Sequence, residues 1–254
     1  MLDLIDTHAH LDDRSFDDDR EPMFGRSADA GVRRWIVPAI DRANWEKVEL
    51  LAASHAGVSA AYGLHPLFLD AHRDEHLDEL PRWLDERGAV AVGEIGLDFY
   101  VEGLDPERQR DLFHRQLQIA REHDLPVIVH ARRAFEEVIH TLRRFGGLRG
   151  VVHSFSGSEE QARQLFDLGF HIGIGGPVTY DRAHRIHRVV TNMPLEWLLL
   201  ETDAPDQPCA QRRGERNEPA YLRDVLATVA RLRGESEEHV AARTTANAIG
   251  LFRL

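Results

Sequence analysis

Short β-rich runs alternate along the chain with longer stretches of helical periodicity. The first runs are Leu4-Ile5-Asp6, Trp35-Ile36-Val37 and Val58-Ser59-Ala60-Ala61-Tyr62, rich in residues that fit a pleated, buried backbone. The same rhythm continues through Val90-Ala91-Val92, Val127-Ile128-Val129, Gly150-Val151-Val152, His171-Ile172-Gly173-Ile174 and Leu198-Leu199-Leu200. Between them lie amphipathic stretches such as Arg108 to His123, where Leu112, Phe113, Gln116, Leu117 and Ala120 share one helical face. Ser158 before Glu159-Glu160 and Ser236 before Glu237-Glu238 read as helix starts, because a hydroxyl can cap free N–H groups and acids complement the helix amino terminus.

Eight strands separated by helix-length connections predict a closed parallel (β/α)8 TIM barrel, since each parallel crossover places a helix outside the strands. An open doubly wound sheet is the alternative. No composition shift, internal repeat or low-complexity tract divides the chain, so residues 1–254 are expected to form a single domain. A helix carrying Leu222, Val225, Leu226, Val229 and Leu232 should close it against the barrel wall.

A chain of 254 residues with 43% hydrophobic positions can build a substantial core, burying roughly three quarters of its unfolded surface. No apolar run approaches the roughly 18 residues that span a bilayer, and the start of the sequence lacks the pattern of a secretory signal. A cytoplasmic protein that does not engage membranes is the expectation. The net charge of −12 disfavours broad wrapping of a duplex, which depends on Lys and Arg neutralising phosphates. A small anionic substrate or a strand end remains compatible. One cysteine, Cys209, excludes an internal disulfide and a multi-thiolate zinc site, so any metal must rest on imidazoles and carboxylates.

Such ligands recur at the carboxyl ends of the predicted strands, the face where a barrel places its chemistry. On the first strand Asp6, His8 and His10 alternate with Thr7 and Ala9, and the period of two turns all three to one side. Later strands end in Glu94 and Asp98, in His130, in His153, and in Glu201 and Asp203. Acids and imidazoles converging inside a barrel mouth need compensating positive charge, which divalent cations supply. The competing explanation is a set of polar strand ends capping helices or pairing with arginines, and for Asp98 alone the two stand level.

At these residues the chain resembles the TatD family of metal-dependent hydrolases. The resemblance is carried by Ile5-Asp6-Thr7-His8-Ala9-His10-Leu11-Asp12, Gly63-Leu64-His65-Pro66, Val92-Gly93-Glu94-Ile95-Gly96-Leu97-Asp98, Pro126-Val127-Ile128-Val129-His130, Val152-His153-Ser154-Phe155-Ser156-Gly157 and Leu200-Glu201-Thr202-Asp203-Ala204-Pro205. It covers almost the whole chain, and Gly173-Ile174-Gly175-Gly176-Pro177-Val178-Thr179-Tyr180 is similar to its YjjV-type branch. The resemblance implies an amidohydrolase-like barrel with two divalent metal ions, zinc first, with manganese or magnesium as alternatives. It implies that His8, His10 and Asp203 bind one metal, that His130 and His153 bind the second, and that Glu94 bridges them. It further implies phosphate-ester hydrolysis, as in a deoxyribonuclease acting 3'-to-5' on DNA ends or short oligonucleotides.

In such a site Asp203 is expected to take a proton from the attacking water. His65 and Arg132 are expected to face substrate phosphate, with Asp6 and Glu201 either orienting imidazoles or pairing with a neighbouring cation from behind, or serving structure alone. Arg133, Arg212, Arg213 and Arg216 form a local positive reserve, the last three in a loop that contacts substrate in nuclease relatives and includes Asn217-Glu218-Pro219. Competing readings are a cyclic-amide C–N hydrolase, an aminoacyl-tRNA ester hydrolase, and a non-catalytic module whose metal only tightens the barrel. Glu94, where a bridging lysine would suit the C–N hydrolase, favours the phosphate ester.

Overall fold

The computed structural model describes residues 2–254. Its strands are β1 (Leu4–Asp6), β2 (Val32–Pro38), β3 (Val58–Tyr62), β4 (Ala91–Asp98), β5 (Val127–Arg132), β6 (Gly150–Val152), β7 (Phe170–Ile174) and β8 (Leu198–Leu200). They form one sheet in the order β1 through β8, every neighbouring pair parallel. The ring closes just past the ends of β1 and β8, where Thr7 N and Thr7 Oγ1 donate to Leu200 O at 3.1 and 3.0 Å. The expected barrel is therefore the observed one, and the open sheet is excluded.

The helices are α1 (Arg20–Asp29), α2 (Trp45–Ser54), α3 (Asp74–Arg87), α4 (Pro106–Glu122), α5 (Phe135–Phe145), α6 (Glu159–Asp167), α7 (His184–Asn192), α8 (Leu222–Arg233) and α9 (Glu237–Phe252). Their starts follow local chemistry. Asp105 accepts from Glu107 N and Arg108 N ahead of Pro106, Ser158 forms a reciprocal cap with Gln161, and Ser236 accepts from His239 N. On α8, Leu222, Val225, Leu226 and Val229 are fully buried, as the periodicity predicts.

The final helix has a task that periodicity alone did not disclose. Ala248, Leu251 and Phe252 of α9 pack with Ile5, Ile36, Ala61, Ala91, Ile128, Val151 and Leu199, one inward residue from each of seven strands. The amino-terminal mouth of the barrel is thus plugged with hydrocarbon, and the opposite mouth is left for polar groups. No helix among the described residues is long and apolar enough to cross a membrane.

Strand β4 runs to Asp98, well beyond the Val90–Val92 core of the sequence pattern, and all eight of its residues are buried. Its pairing with β5 shifts register between Val92 and Ile95. Gly96, at φ +140°, lies so close to β5 that a Cβ would sit 2.1 Å from His130 O. This contact allows the ends of β4 and β5 to present Glu94 and His130 to the same space.

Candidate metal centre

Beyond β1 the chain stays extended, held on both sides. Ala9 N donates to Ile36 O at 3.1 Å, His10 N to Ala204 O at 2.7 Å, and Asp203 N to His8 O at 2.9 Å. The alternation keeps His8 and His10 on the inner face, with their Nε2 atoms 3.3 Å apart. Glu94 Oε2 lies 3.2 Å from His8 Nε2 and 3.5 Å from His10 Nε2, and Asp203 Oδ1 lies 3.5 and 3.7 Å from the same two nitrogens.

The other Glu94 oxygen faces a second set of rings. Oε1 is 2.7 Å from His153 Nε2, 3.1 Å from His130 Nδ1 and 2.9 Å from His65 Nε2. One fully buried carboxylate thus divides the histidines into two groups, one on each oxygen. His8 and His153 stack at 3.9 Å between ring centres, joining the groups face to face.

The donors fit a cation. A tetrahedral ion with ligand bonds of about 2.0–2.1 Å spaces its donors about 3.3–3.4 Å apart, and the measured contacts among His8, His10, Glu94 and Asp203 run from 3.2 to 3.7 Å. In the second group, Asp98 Oδ2 accepts from His130 Nε2 at 2.9 Å. With Nε2 donating to Asp98, the 3.1 Å contact of Nδ1 with Glu94 Oε1 is satisfied either by a proton on Nδ1, which Asp98 and Glu94 favour against burial, or by a cation between the two. His65 is different: its Nδ1 accepts from Leu67 N at 3.1 Å, so the neutral ring carries its proton on Nε2 and donates to Glu94. Expected to stand against phosphate, His65 is buried against Glu94 and also lines the cavity of the mouth.

Protons and metal ions compete for these donors. Burial holds His8 well below the usual imidazole range and lowers His65 to about 4. For His10 burial is outweighed by Glu94 and Asp203, and the ring is raised to about 9; Glu94 and Glu201 likewise raise His153. Burial pushes Asp203 up to about 6, against the pull of His153 and His10.

Asp203 sits at a positive φ of 59°, and Ser154, which follows His153, at 47°. Such backbone is uncommon for residues with side chains and here turns polar groups into the mouth. Gln207 donates a short hydrogen bond to Asp203 Oδ2 and accepts from Ser154 Oγ at 2.8 Å. Asn217 Nδ2 holds the same turn through Thr202 O at 2.8 Å and Asp206 O at 2.7 Å. Sequence reasoning missed Gln207 and Ser154 because their partners lie far away in the chain, and it left the role of Asp98 undecided.

The two acids expected behind the imidazoles part ways. Glu201 lies 3.7 Å from His153 Nδ1 and accepts from Ser154 N at 2.5 Å. Asp6 accepts from His8 N, Thr202 N and Thr202 Oγ1, so it ties β1 to β8 through the backbone rather than orienting a ring. Burial pushes its carboxyl up to about 8. His8 Nδ1 is buried with no hydrogen-bond partner.

The mouth opens into a cavity of about 830 Å³. Arg132 lines it, with its guanidinium 3.7 Å above the Tyr100 ring. Arg212, Arg213 and Arg216 do not line it. Arg216 binds Asp19 at 2.6 Å, and Arg212 lies over the Tyr221 ring and 3.7 Å from Asp224. Glu218 is taken by Arg26 at 2.6 Å. The expected positive reserve after β8 is thus largely spent on fixing that loop. Arg133 stands over Tyr100 beside Arg132, at 4.6 Å.

The family model described as TatD related DNase matches residues 5–253. Escherichia coli YjjV, a metal-dependent hydrolase, is 43% identical over 99% of this chain and 98% of its own length. The 3'-5' ssDNA/RNA exonuclease TatD of Cronobacter sakazakii is 34% identical, covering 98% of this chain and 97% of its own. The crystal structure of E. coli YjjV superimposes with a TM-score of 0.94 at 41% identity, over 99% of this chain and 98% of that one. On this geometry and these matches, the chain belongs to the TatD family of metal-dependent hydrolases.

Proposed function

We propose that this protein, acting as a single cytoplasmic domain over residues 1–254, is a phosphodiesterase that removes nucleotides from DNA ends or short oligonucleotides, in the 3'-to-5' sense of the exonuclease relative. The observation that carries the reading is the division of Glu94 between two groups of histidines. His8, His10 and Asp203 would hold one divalent cation, His130 and His153 the other, and Glu94 both, with zinc as the first candidate. Two divalent cations bound there would lower the pKa of water and polarise a phosphoryl oxygen.

The protein's own groups do the rest. Asp203, whose Oδ1 faces His8 and His10, accepts the proton of the attacking water, and Gln207 holds its other oxygen. Asp98 holds His130 in the tautomer that presents Nδ1. His65 donates from Nε2 into the centre, toward Glu94 or toward substrate oxygen. Arg132, kept at the mouth by Tyr100, meets phosphate charge.

The test compares metal-loaded wild type with a His130→Ala, His153→Ala variant on phosphodiesters, phosphomonoesters, cyclic amides and aminoacyl-tRNA. Turnover of phosphodiesters by the wild type, lost in the variant, supports the reading. Turnover confined to cyclic amides or aminoacyl esters replaces it with one of the other hydrolases, and equal turnover by both proteins refutes the metal centre.

A further inference from the structure

The rim of the cavity is electrostatically lopsided. On the arc formed by the segments after β8 and β1 it is lined by Asp206, Asp12 and Asp13. On the arc after β5 and β7 it is lined by Arg132, Arg182 and Arg185. Arg182 and Arg185 are exposed, one just before α7 and one within its first turn, and among the described residues neither has an ion pair or hydrogen bond. In a chain of net charge −12, in which most arginines bind carboxylates, these two free guanidiniums on the wall of the cavity have no structural task.

From this arrangement we infer that Arg182 and Arg185 bind a phosphate that is not cleaved, so that the substrate strand leaves the centre across the loop after β7 and not across the loop after β8. The inference rests on the phosphodiesterase reading and adds a path and a minimum length to it. A polyanion is repelled by Asp12, Asp13 and Asp206 on one side and attracted on the other. Apolar surface also lies outside the acidic arc. Phe68 lines the cavity after β3, and Tyr100 and Val101 follow β4; they are three of the four large apolar side chains exposed among the described residues. Aromatic faces beside arginines suit unpaired bases beside phosphates.

The experiment uses metal-loaded full-length protein and thymidine oligomers of two, three and five nucleotides, with bis(p-nitrophenyl) phosphate as a minimal diester. For the wild type, kcat/KM should rise with oligomer length. In an Arg182→Ala, Arg185→Ala variant the gain from length should fall about ten-fold, mainly through KM. The dependence of log KM on log salt should also flatten by about 0.7, the value for one phosphate contact on a single strand. An Arg182→Lys, Arg185→Lys variant should recover most of the salt dependence, and Arg213→Ala, outside the cavity, should behave as wild type. A parallel rise with length in wild type and the alanine variant, or an equal loss in Arg213→Ala, overturns the inference. Absence of turnover on every diester, including the minimal one, sinks the phosphodiesterase reading itself.

Discussion

Asp98 Oδ2 lies 2.9 Å from His130 Nε2 and fixes which nitrogen of that ring faces Glu94. The same carboxylate accepts from Tyr100 N at 2.9 Å and Val101 N at 3.2 Å, so it is anchored before it touches the imidazole. Burial works against its charge, but His130 and these N–H groups outweigh it and lower its pKa. Carboxylates behind metal-binding histidines set tautomer and basicity.

An Asp98→Asn substitution keeps the size of the group and removes its charge. It should weaken metal binding about 10- to 100-fold, the range for such partners, with little change in the thermal unfolding of the metal-free protein. Competition against a chelating dye reads the affinity. An unchanged affinity would make Asp98 a loop anchor only.

Gln207 acts through Asp203, as a positioning residue. Gln207→Ala should lower kcat on a phosphodiester by about 10-fold, within the range of a lost charged hydrogen bond, and leave metal stoichiometry intact. It should also shift the acidic limb of the pH–rate profile, because a hydrogen bond that favours the carboxylate is removed and the Asp203 pKa rises. A fall in rate with no shift of that limb would indicate a loss of structure instead.

Metal loading should release protons. His10, raised to about 9, and His153, also raised, are protonated at neutral pH in the metal-free protein and must lose those protons to become ligands. Affinity should therefore increase from pH 6 towards pH 9. Calorimetry at pH 7 in buffers of different ionisation enthalpy should give a net release of more than one proton, and release of none would contradict the protonation pattern.

The plug at the amino-terminal mouth gives a stability test remote from the chemistry. Phe252 is almost fully buried against inward strand residues. Phe252→Ala should destabilise the protein by about 3–5 kcal/mol, as for other buried aromatic truncations, measured by denaturant unfolding of the metal-free form. A loss below about 1 kcal/mol would mean that α9 closes the barrel without supporting it.

Much of this was legible in the sequence because it depends on short-range order. Each of the eight β-rich runs marks a strand, and the two-residue period past Leu4 places His8 and His10 together. The β-rich run of β4 stops at Val92, although the strand ends at Asp98 as read, because Gly93 and Gly96 interrupt the β-branched pattern where the backbone must approach β5 closely. What stayed hidden is set by contacts distant in sequence: the Gln207–Ser154 link, the burial of His65 against Glu94, and α9 under the barrel. Whether the arginines after β8 served substrate or were merely solvated stayed open, because nothing local announces the pairing of Arg216 with Asp19 and of Arg212 with Asp224. Arg182 and Arg185 drew no notice because a helix start with exposed basic residues is ordinary until the fold turns it toward a cavity.

The central claim is that the two oxygens of Glu94 serve two separate cations. Anomalous diffraction from crystals grown with zinc measures this directly. The account predicts two peaks about 3.5–4 Å apart, one among His8, His10 and Asp203 and one beside His130 and His153, with Glu94 touching both. A single peak that leaves Glu94 free, or no peak in the mouth of a catalytically active crystal, would contradict it.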